Sequence, residues 1–397
     1  MKYVNLDNLI ATVLVFISML FFQILLSIDL LAPFWHTFND FKVTDVGLRD
    51  LRAEGKSRAD TRIVLINTKG LSNLGMAKLL SYLNGKEPKV IGMENILKKS
   101  SYPQHDRLLA MVLNETENLV TGEHLTGYDE IKREFTGKIS SDSIFGKNNP
   151  AFYNLLAGKD KRTTTVREFV PLARVNGKLD TSFSLAVLAK YSPGAAADFF
   201  DRGNEKESIF YKGNFTKFFF TEAIDILQEN IKIDFKDKIL LLGNVQPASG
   251  SFVLEDIYFT PLNDVSSGRT FPDMYGLVIH ANIISMMLDR EYFTYLPEFI
   301  AFIIAFVICF IDMIIYSYIS HYKQDLYEIS ALFIFVIESI LILIATVYLH
   351  HNFNFEAELT IALYAIVLSG FAFEGYKYSL KPFVKNIYSR LRRKSLF

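Results

Sequence analysis

Cysteine is almost missing from this sequence: 397 residues contain one, Cys309, set inside an apolar run. Neither an intrachain disulfide nor a thiolate metal cluster can be built from it. Net charge is equally scarce. Lysine and arginine number 42 against 43 aspartates and glutamates, a formal charge of -1 at pH 7, so no bulk pull toward nucleic acid exists and nucleic acid is not an expected partner. Glycine-rich phosphate loops of the GxGxxG or GxxxxGK[ST] kind do not occur, which leaves a nucleotide site unsupported. No Ser/His/Asp or Cys/His nucleophile motif emerges either. His350 and His351 are adjacent, but successive helix positions point about 100° apart, so they would not jointly face one metal. No enzyme activity, cofactor or metal centre is expected.

What the sequence has instead is apolar length. It is 50% hydrophobic and 14% aromatic, yet 21% charged, a mixture that calls for membrane segments beside a soluble domain. Residues 9–32, 296–319, 329–349 and 359–373 with its flanks approach or exceed the roughly 18 apolar residues that cross a bilayer as helix. The first is read as an uncleaved signal anchor, because its apolar core is long and no clear small-x-small cleavage site follows it. After Glu374 the chain carries Lys377, Lys381, Lys385, Arg390, Arg392, Arg393 and Lys394 and no acid, which places this tail in the cytoplasm. The expected layout is residues 1–8 inside, a signal anchor at 9–32, an extracytoplasmic domain at 33–295, three transmembrane helices at 296–376 and a basic cytoplasmic tail at 377–397. Trp35, Tyr292, Phe293, Tyr295, Tyr316 and Tyr376 fall near the expected interfaces, where amphipathic rings are favoured.

The domain reads as alternating strands and helices. Short Val/Ile/Leu-rich runs at 63–67, 89–93, 118–121 and 238–243 suit strands buried on both faces. Helical patterns lie at 76–83, 106–113, 182–191 and 275–288. The fold class is therefore α/β, a mainly parallel or mixed sheet with flanking helices, plus four transmembrane α-helices. The polar stretch 194–214 reads as loop, and 263–273 as a surface loop with Gly268 and Pro272.

Several stretches, in order, carry a resemblance: 89–94 (KVIGME), Asp106 with Leu108 and Leu109, 166–171 (VREFVP), 211–214 (YKGN), 235–243 (FKDKILLLG), 256–261 (DIYFTP) and 275–282 (YGLVIHAN). They resemble a CHASE2 domain, an extracytoplasmic sensor module that typically follows one anchor helix and precedes three transmembrane helices. The resemblance spans about residues 45–290. Relatives often continue into a cytoplasmic kinase or cyclase, whereas this sequence runs only 24 residues past Phe373, so its output is expected to lie in partner proteins. Relatives also end their first strand in acidic residues, and residues 66–70 (INTKG) carry none.

Candidate site residues follow from these stretches. Gly243 and Asn244 would line a crevice at the carboxyl edge of a parallel sheet, or form a tight turn. Arg167, beside Glu168, could fork an acidic group or pair at a strand edge. Gly213, Asn214 and Asp256 lie in the matched stretches, and His280 with Asn282 sits on a helix where hydrogen-bonded structural roles are the stronger expectation. Asp312 and Glu338 lie inside the second and third spans, where a charge is costly and helix packing against protein is expected. Lys385, Arg390, Arg392, Arg393 and Lys394 would meet anionic lipid or a partner. The expected setting is the bacterial cytoplasmic (inner) membrane, with the large domain in the periplasm. The expected partners are membrane lipids, other membrane or envelope subunits and a small extracytoplasmic ligand. Two roles stay open: a sensor in signal transduction, or a structural scaffold subunit of an envelope complex, with a membrane enzyme or transporter as a remote third.

The charge asymmetry gives a first test. A reporter fused after Phe397 should behave as cytoplasmic and one inserted in 263–273 as extracytoplasmic, and protease access to the tail in intact cells would reverse the layout.

Overall fold

In a computed structural model, the described residues are 5–26, 58–146, 148–155, 164–231, 233–245, 256–263, 271–357 and 359–386. They fall into two compact units, one within Leu48–Tyr292 and one formed by the N-terminal helix α1 (Leu6–Leu26) with the chain from Phe293 onward. Trp35, the end of the expected signal anchor, most of the 263–273 loop, and Arg390, Arg392, Arg393 and Lys394 lie outside the described residues.

The first unit opens with β1 (Asp60–Asn67), α2 (Asn73–Asn84), β2 (Val90–Met93), α3 (Pro103–Glu115) and β3 (Leu119–Asp129). Then come β4 (Glu134–Ile139), β5 (Pro150–Phe152), β6 (Glu168–Phe169), β7 (Leu172–Val175) and β8 (Lys178–Thr181). The chain continues through α4 (Phe183–Tyr191), α5 (Pro193–Phe200), β9 (Glu207–Ser208), β10 (Phe218–Glu222), α6 (Ala223–Leu227) and β11 (Ile239–Gly243). It closes with β12 (Ile257–Tyr258), β13 (Met274–Tyr275) and α7 (Gly276–Asp289). The main sheet runs β10-β1-β11-β2-β3-β4-β7-β8, with β5 also on β3. Its first five strands are parallel and the β3–β4 and β7–β8 pairs antiparallel, so the sheet is mixed.

The central strands show why the sequence reads as unbroken apolar runs rather than as alternation. Ile63 and Leu65 of β1 and Ile239 and Leu241 of β11 enter one core with α4 and α7. Val64, Ile66, Leu240 and Leu242, their neighbours in sequence, enter the other with α2, α3 and α6. Each strand has two dry faces, and every residue of β11 is buried. The three crossovers β1→β2, β2→β3 and β10→β11 advance in the same direction across the sheet, and right-handed connections of that kind leave their helices on one face. The opposite face is covered by α4 and α7. At the β7–β8 turn, Asn176 and Gly177 take φ of 48° and 77°, the left-handed pair that a two-residue hairpin demands.

The expected loop at 194–214 is corrected. Residues 193–200 form α5, because Pro193 supplies a preset φ at the first helical position, Ser192 Oγ accepts the Ala195 N–H at 3.4 Å and three alanines follow. Residues 207–208 form β9, paired with β6.

The second unit consists of α1, β14 (Thr294–Tyr295), α8 (Glu298–Tyr322), α9 (Tyr327–Phe353), β15 (Phe355–Glu356) and α10 (Thr360–Glu374). Two of its helical stretches, Glu298–Tyr322 and Gln324–Phe353, are long and apolar enough to cross a membrane. α10 has 15 residues and continues into a π-helical turn at Gly375–Leu380. Ala301 and Ala305 of α8 and Ala362 and Ala365 of α10 are buried, small residues that let helix backbones approach closely.

Gly92 of β2 tests the packing. A Cβ there would lie 2.8 Å from Phe183 Cζ and 2.9 Å from Val187 Cγ2, while one on Gly194 meets nothing within 4 Å. Gly92→Ala should cost about 1–3 kcal/mol through overpacking, and Gly194→Ala in α5 should be neutral or stabilise by up to about 1 kcal/mol. Thermal melts of the two variants check the contrast.

Candidate functional site

The carboxyl ends of β1, β11 and β2 meet where the chain changes face. β1 and β2 lead into α2 and α3 on one side of the sheet, whereas the segment after β11 leads to α7 on the other. Adjacent parallel strands whose connections depart to opposite faces leave a crevice at their carboxyl ends, the usual ligand position in α/β sheets. Here the strand ends carry Asn67, Thr68, Glu94 and Gly243, all of them buried.

Glu94 is the centre of this corner. Its backbone N–H continues the ladder to Leu242 O at 2.9 Å, and its side chain is buried. The carboxylate is wedged between two glycines: a Cβ on Gly243 would lie 2.9 Å from Glu94 Oε2, and one on Gly276 would lie 3.3 Å from Oε1. A side chain at 243 would therefore crowd the Glu94 carboxylate and Leu277, so Gly243 serves a close approach. Tyr153 and Tyr258 stand beside it, and burial pushes both phenols up, aided by the nearby Glu94 and Asp256 carboxylates. Asp256 has a φ of 70°, and its carbonyl accepts the Gly276 N–H at 3.0 Å. Asn244 is exposed just beyond Gly243.

Asn67 braces the neighbouring strand ends. Its Nδ2 donates to Glu222 Oε2 at 2.7 Å, while Oδ1 accepts the N–H groups of Lys69 and Val245 at 3.2 and 3.1 Å. The acid that relatives of the resemblance carry at the end of the first strand is absent from β1, and a carboxylate reaches the same edge from Glu222 at the end of β10. Burial pushes the Glu222 carboxyl up, and the Asn67 amide holds it back. Thr68 Oγ1 donates to Asn95 Oδ1 at 3.0 Å.

His280 and Asn282 are committed to the fold. His280 is fully buried, and burial pushes its imidazole down to about 4. The neutral ring donates from Nε2 to the Tyr153 carbonyl at 3.1 Å, which leaves Nδ1 to accept from Ser184 Oγ at 2.7 Å. Glu94 Oε1 lies 3.8 Å from Nε2, a contact with a neutral ring rather than an ion pair. Asn282 Nδ2 donates to the Gly213 carbonyl at 2.9 Å, and its Oδ1 accepts the Lys212 N–H at 2.7 Å. It pins the segment before β10 to α7. Asn214 Nδ2 donates to the Asp273 carbonyl at 3.0 Å. Arg167 belongs to another neighbourhood: its carbonyl accepts the Ile209 N–H at 2.8 Å as β6 pairs with β9. Asp312 and Glu338 belong to the second unit, and Lys385 is exposed there. Among the described residues no His, Cys, Asp or Glu group has the arrangement of a metal site.

Sequence reasoning passed over Glu94, Tyr153, Tyr258 and Asn67 as site residues. One signal was present, an acid directly after the doubly buried run of β2, where a charge must have a reason.

Asp273 and His280 predict an unusual acid response. Asp273 is pushed up to about 6 by burial, against its hydrogen bonds from Thr260 and Asn263. His280 is protonated less readily in the fold than in the unfolded chain, so its contribution is complete above pH 6.5 and lost as pH falls toward 4. Asp273 is protonated more readily in the fold, so its penalty is complete above pH 6 and relieved as pH falls toward 3.8. The first term is roughly 3 kcal/mol and the second, discounted for partial exposure, roughly 1–2 kcal/mol, with opposite sign. Asp273→Asn should therefore stabilise at pH 7 and make the loss of stability between pH 6.5 and 4.5 steeper than in the wild type. Denaturant titrations at four pH values check it.

A protein-family model, the CHASE2 domain, matches residues 11–314, well over half of the chain. The matched interval covers most of α1, the whole first unit and part of α8. No curated protein and no solved structure matches the chain. With its mixed α/β sheet between apolar helices, the chain belongs to the CHASE2 family of extracytoplasmic sensor domains.

Proposed function

We propose that this CHASE2 protein is a multi-pass membrane sensor, without catalytic activity of its own, that binds a small extracytoplasmic ligand at the Glu94 corner and acts through partner proteins. The observation that carries the reading is the buried Glu94 carboxylate wedged between Gly243 and Gly276 at the carboxyl edge of a sensor-family sheet. A buried acid flanked by two phenols and a second acid favours a ligand that presents positive charge or hydrogen-bond donors, such as an amine. The glycines leave backbone within reach of it.

The membrane layout is part of the proposal: α1, α8, α9 and α10 as four spans of the cytoplasmic membrane, with the basic tail inside. Contacts within the second unit support it. Lys381 Nζ lies 2.6 Å from Asp7 Oδ2, Tyr376 Oη donates to Asp7 Oδ1 at 2.5 Å, and Lys377 Nζ meets Ser320 Oγ. The start of α1 and the ends of α8 and α10 thus share one end of the bundle. The strand pair β14–β15 joins the start of α8 to the segment after α9. This is the up-and-down alternation that four spans require.

The experiment is a thermal-shift screen of small amines and polyols against the full-length protein in lipid nanodiscs. A ligand that raises Tm in the wild type should lose at least tenfold in affinity in Glu94→Gln, with the Tm of the free variant within a few degrees. An equal shift in both proteins would move the site away from Glu94. A screen without any shift, together with co-purifying envelope subunits, would favour the scaffold role.

A further inference from the structure

Asp312 falls just past the middle of α8, which has 25 residues, and Glu338 near the middle of α9, which has 27. At about 1.5 Å per residue each lies roughly 15 Å from the nearer helix end, so neither can reach an aqueous interface by extending its side chain. Asp312 is fully buried, and neither of its oxygens meets a donor from the protein; Glu338 Oε2 is in the same position. What faces each carboxyl is the other.

The surrounding groups offer no neutralising charge. On α8 the neighbours are Cys309, Met313 and Tyr316, and on α10 Ala365, Ser369 and Phe373. The Ser369 hydroxyl donates to Ile366 O at 2.8 Å and lies 3.2 Å from Tyr316 Oη, so both hydroxyls have partners. On α1, Thr12 Oγ1 donates to Asn8 O at 2.8 Å, and Asp7 is taken by Lys381 and Tyr376. Among the described residues no lysine, arginine or histidine acts on either acid. Glu338 as a whole is half-buried, but three of the four carboxyl oxygens are buried without a donor, and two carboxylates so placed in a medium that solvates charge poorly repel each other. A hydrogen bond joins two carboxyl groups only when one of them is protonated, with its O–H donating to an oxygen of the other.

We infer that Asp312 and Glu338 form an intramembrane proton-binding site, in which a proton shared by the two carboxyls fastens α8 to α9. This rests on α8 and α9 crossing the membrane and is independent of ligand binding at Glu94. Loss of the proton would leave like charges between the two helices, so occupancy of the site sets how closely they pack.

The test uses the full-length protein in nanodiscs at pH 7, by infrared spectroscopy and by labelling with a hydrophobic carbodiimide, which adds only to protonated carboxyls in apolar surroundings. The wild type should show a protonated-carboxyl C=O stretch. Asp312 or Glu338 should be labelled at least tenfold more than the acids near helix ends, Glu298 and Asp325. Both signals should vanish in the neutral, near-isosteric Asp312→Asn/Glu338→Gln variant, while helix content by circular dichroism is kept. Absence of the stretch in the wild type, or its persistence together with unchanged labelling in the folded double variant, would overturn the inference. If the double variant does not fold, the wild-type band and the identity of the labelled residue decide. Topology reporters on either side of α8 and α9 separate failure of this site from failure of the four-span layout.

Discussion

β11 lies between β1 and β2 although the chain makes those two strands long before it, and this insertion organises the sheet unit. A strand in that position has neighbours on both edges and helices on both faces, so each residue from Ile239 to Gly243 must be apolar or small. The cost falls on folding rather than on stability. The early strands cannot close the centre of the sheet until a distant segment arrives, and such non-local pairing is slow. The consequence is geometric, because β11 leads on to α7, on the opposite face from α2 and α3, so that the connections part at Gly243.

At that parting the small residues Gly243 and Gly276 make room for a carboxylate beside a dry core. Glu94 follows β2 directly, and larger residues at 243 or 276 would fill the space its oxygens occupy. The same corner holds His280 neutral by burial and orients its ring through two hydrogen bonds, to Tyr153 and Ser184. Burial disfavours the charged imidazole, and in the neutral ring the Tyr153 carbonyl takes the Nε2 proton while Ser184 Oγ donates to Nδ1. The ring therefore joins α7 to α4 and to the Tyr153 backbone, which places a structural histidine next to a candidate site without making it part of the chemistry. Asp273, close to the start of α7, opposes it in acid. Together the two flatten a pH response that either alone would make steep.

Much of the sheet was legible in the sequence because burial on both faces leaves a strong mark. The runs at 63–67, 89–93, 118–121 and 238–243 appear as β1, β2, the start of β3 and β11, and the four helical patterns as α2, α3, α4 and α7. The antiparallel extension through β4, β7 and β8 was not read. Exposed Lys178 and half-buried Thr181 give a weak pattern there, and the Asn176–Gly177 turn is the one clear signal. Helix α5 is hidden within a stretch, 194–214, whose overall polarity reads as loop, although Pro193 and the three alanines after Gly194 suit a helix start. Of the candidate corner, Gly243 was legible as the end of a buried strand. Glu94, Tyr153 and Tyr258 come together only through strand order, which no local pattern encodes. The same limit applies in the second unit, where Asp312 and Glu338 could be seen as two acids inside apolar runs but not as neighbours.

On the proposed membrane layout the second unit is governed by a different balance, since apolar side chains gain little by leaving lipid for protein. α8 and α10 meet this with alanines that let their backbones approach, and a third of the α8 apolar window is buried. α9 has no such stripe, and only 6% of its window is buried; Ile329, Leu332, Phe333, Ile337, Leu341 and Ile344 are all exposed. Van der Waals packing therefore holds α9 weakly, and its position must depend on a few specific contacts. Tyr327 reaches the Gly370 carbonyl at 3.4 Å near one end, and His350 lies against Phe293 near the other. Between them, near the middle of the helix, Glu338 faces Asp312 of α8. On the inferred proton site, a helix held at its ends and joined at its centre by a carboxyl pair would pack differently with the proton bound and with it lost. The loosely packed helix is thus the element of the bundle most able to move when that centre changes.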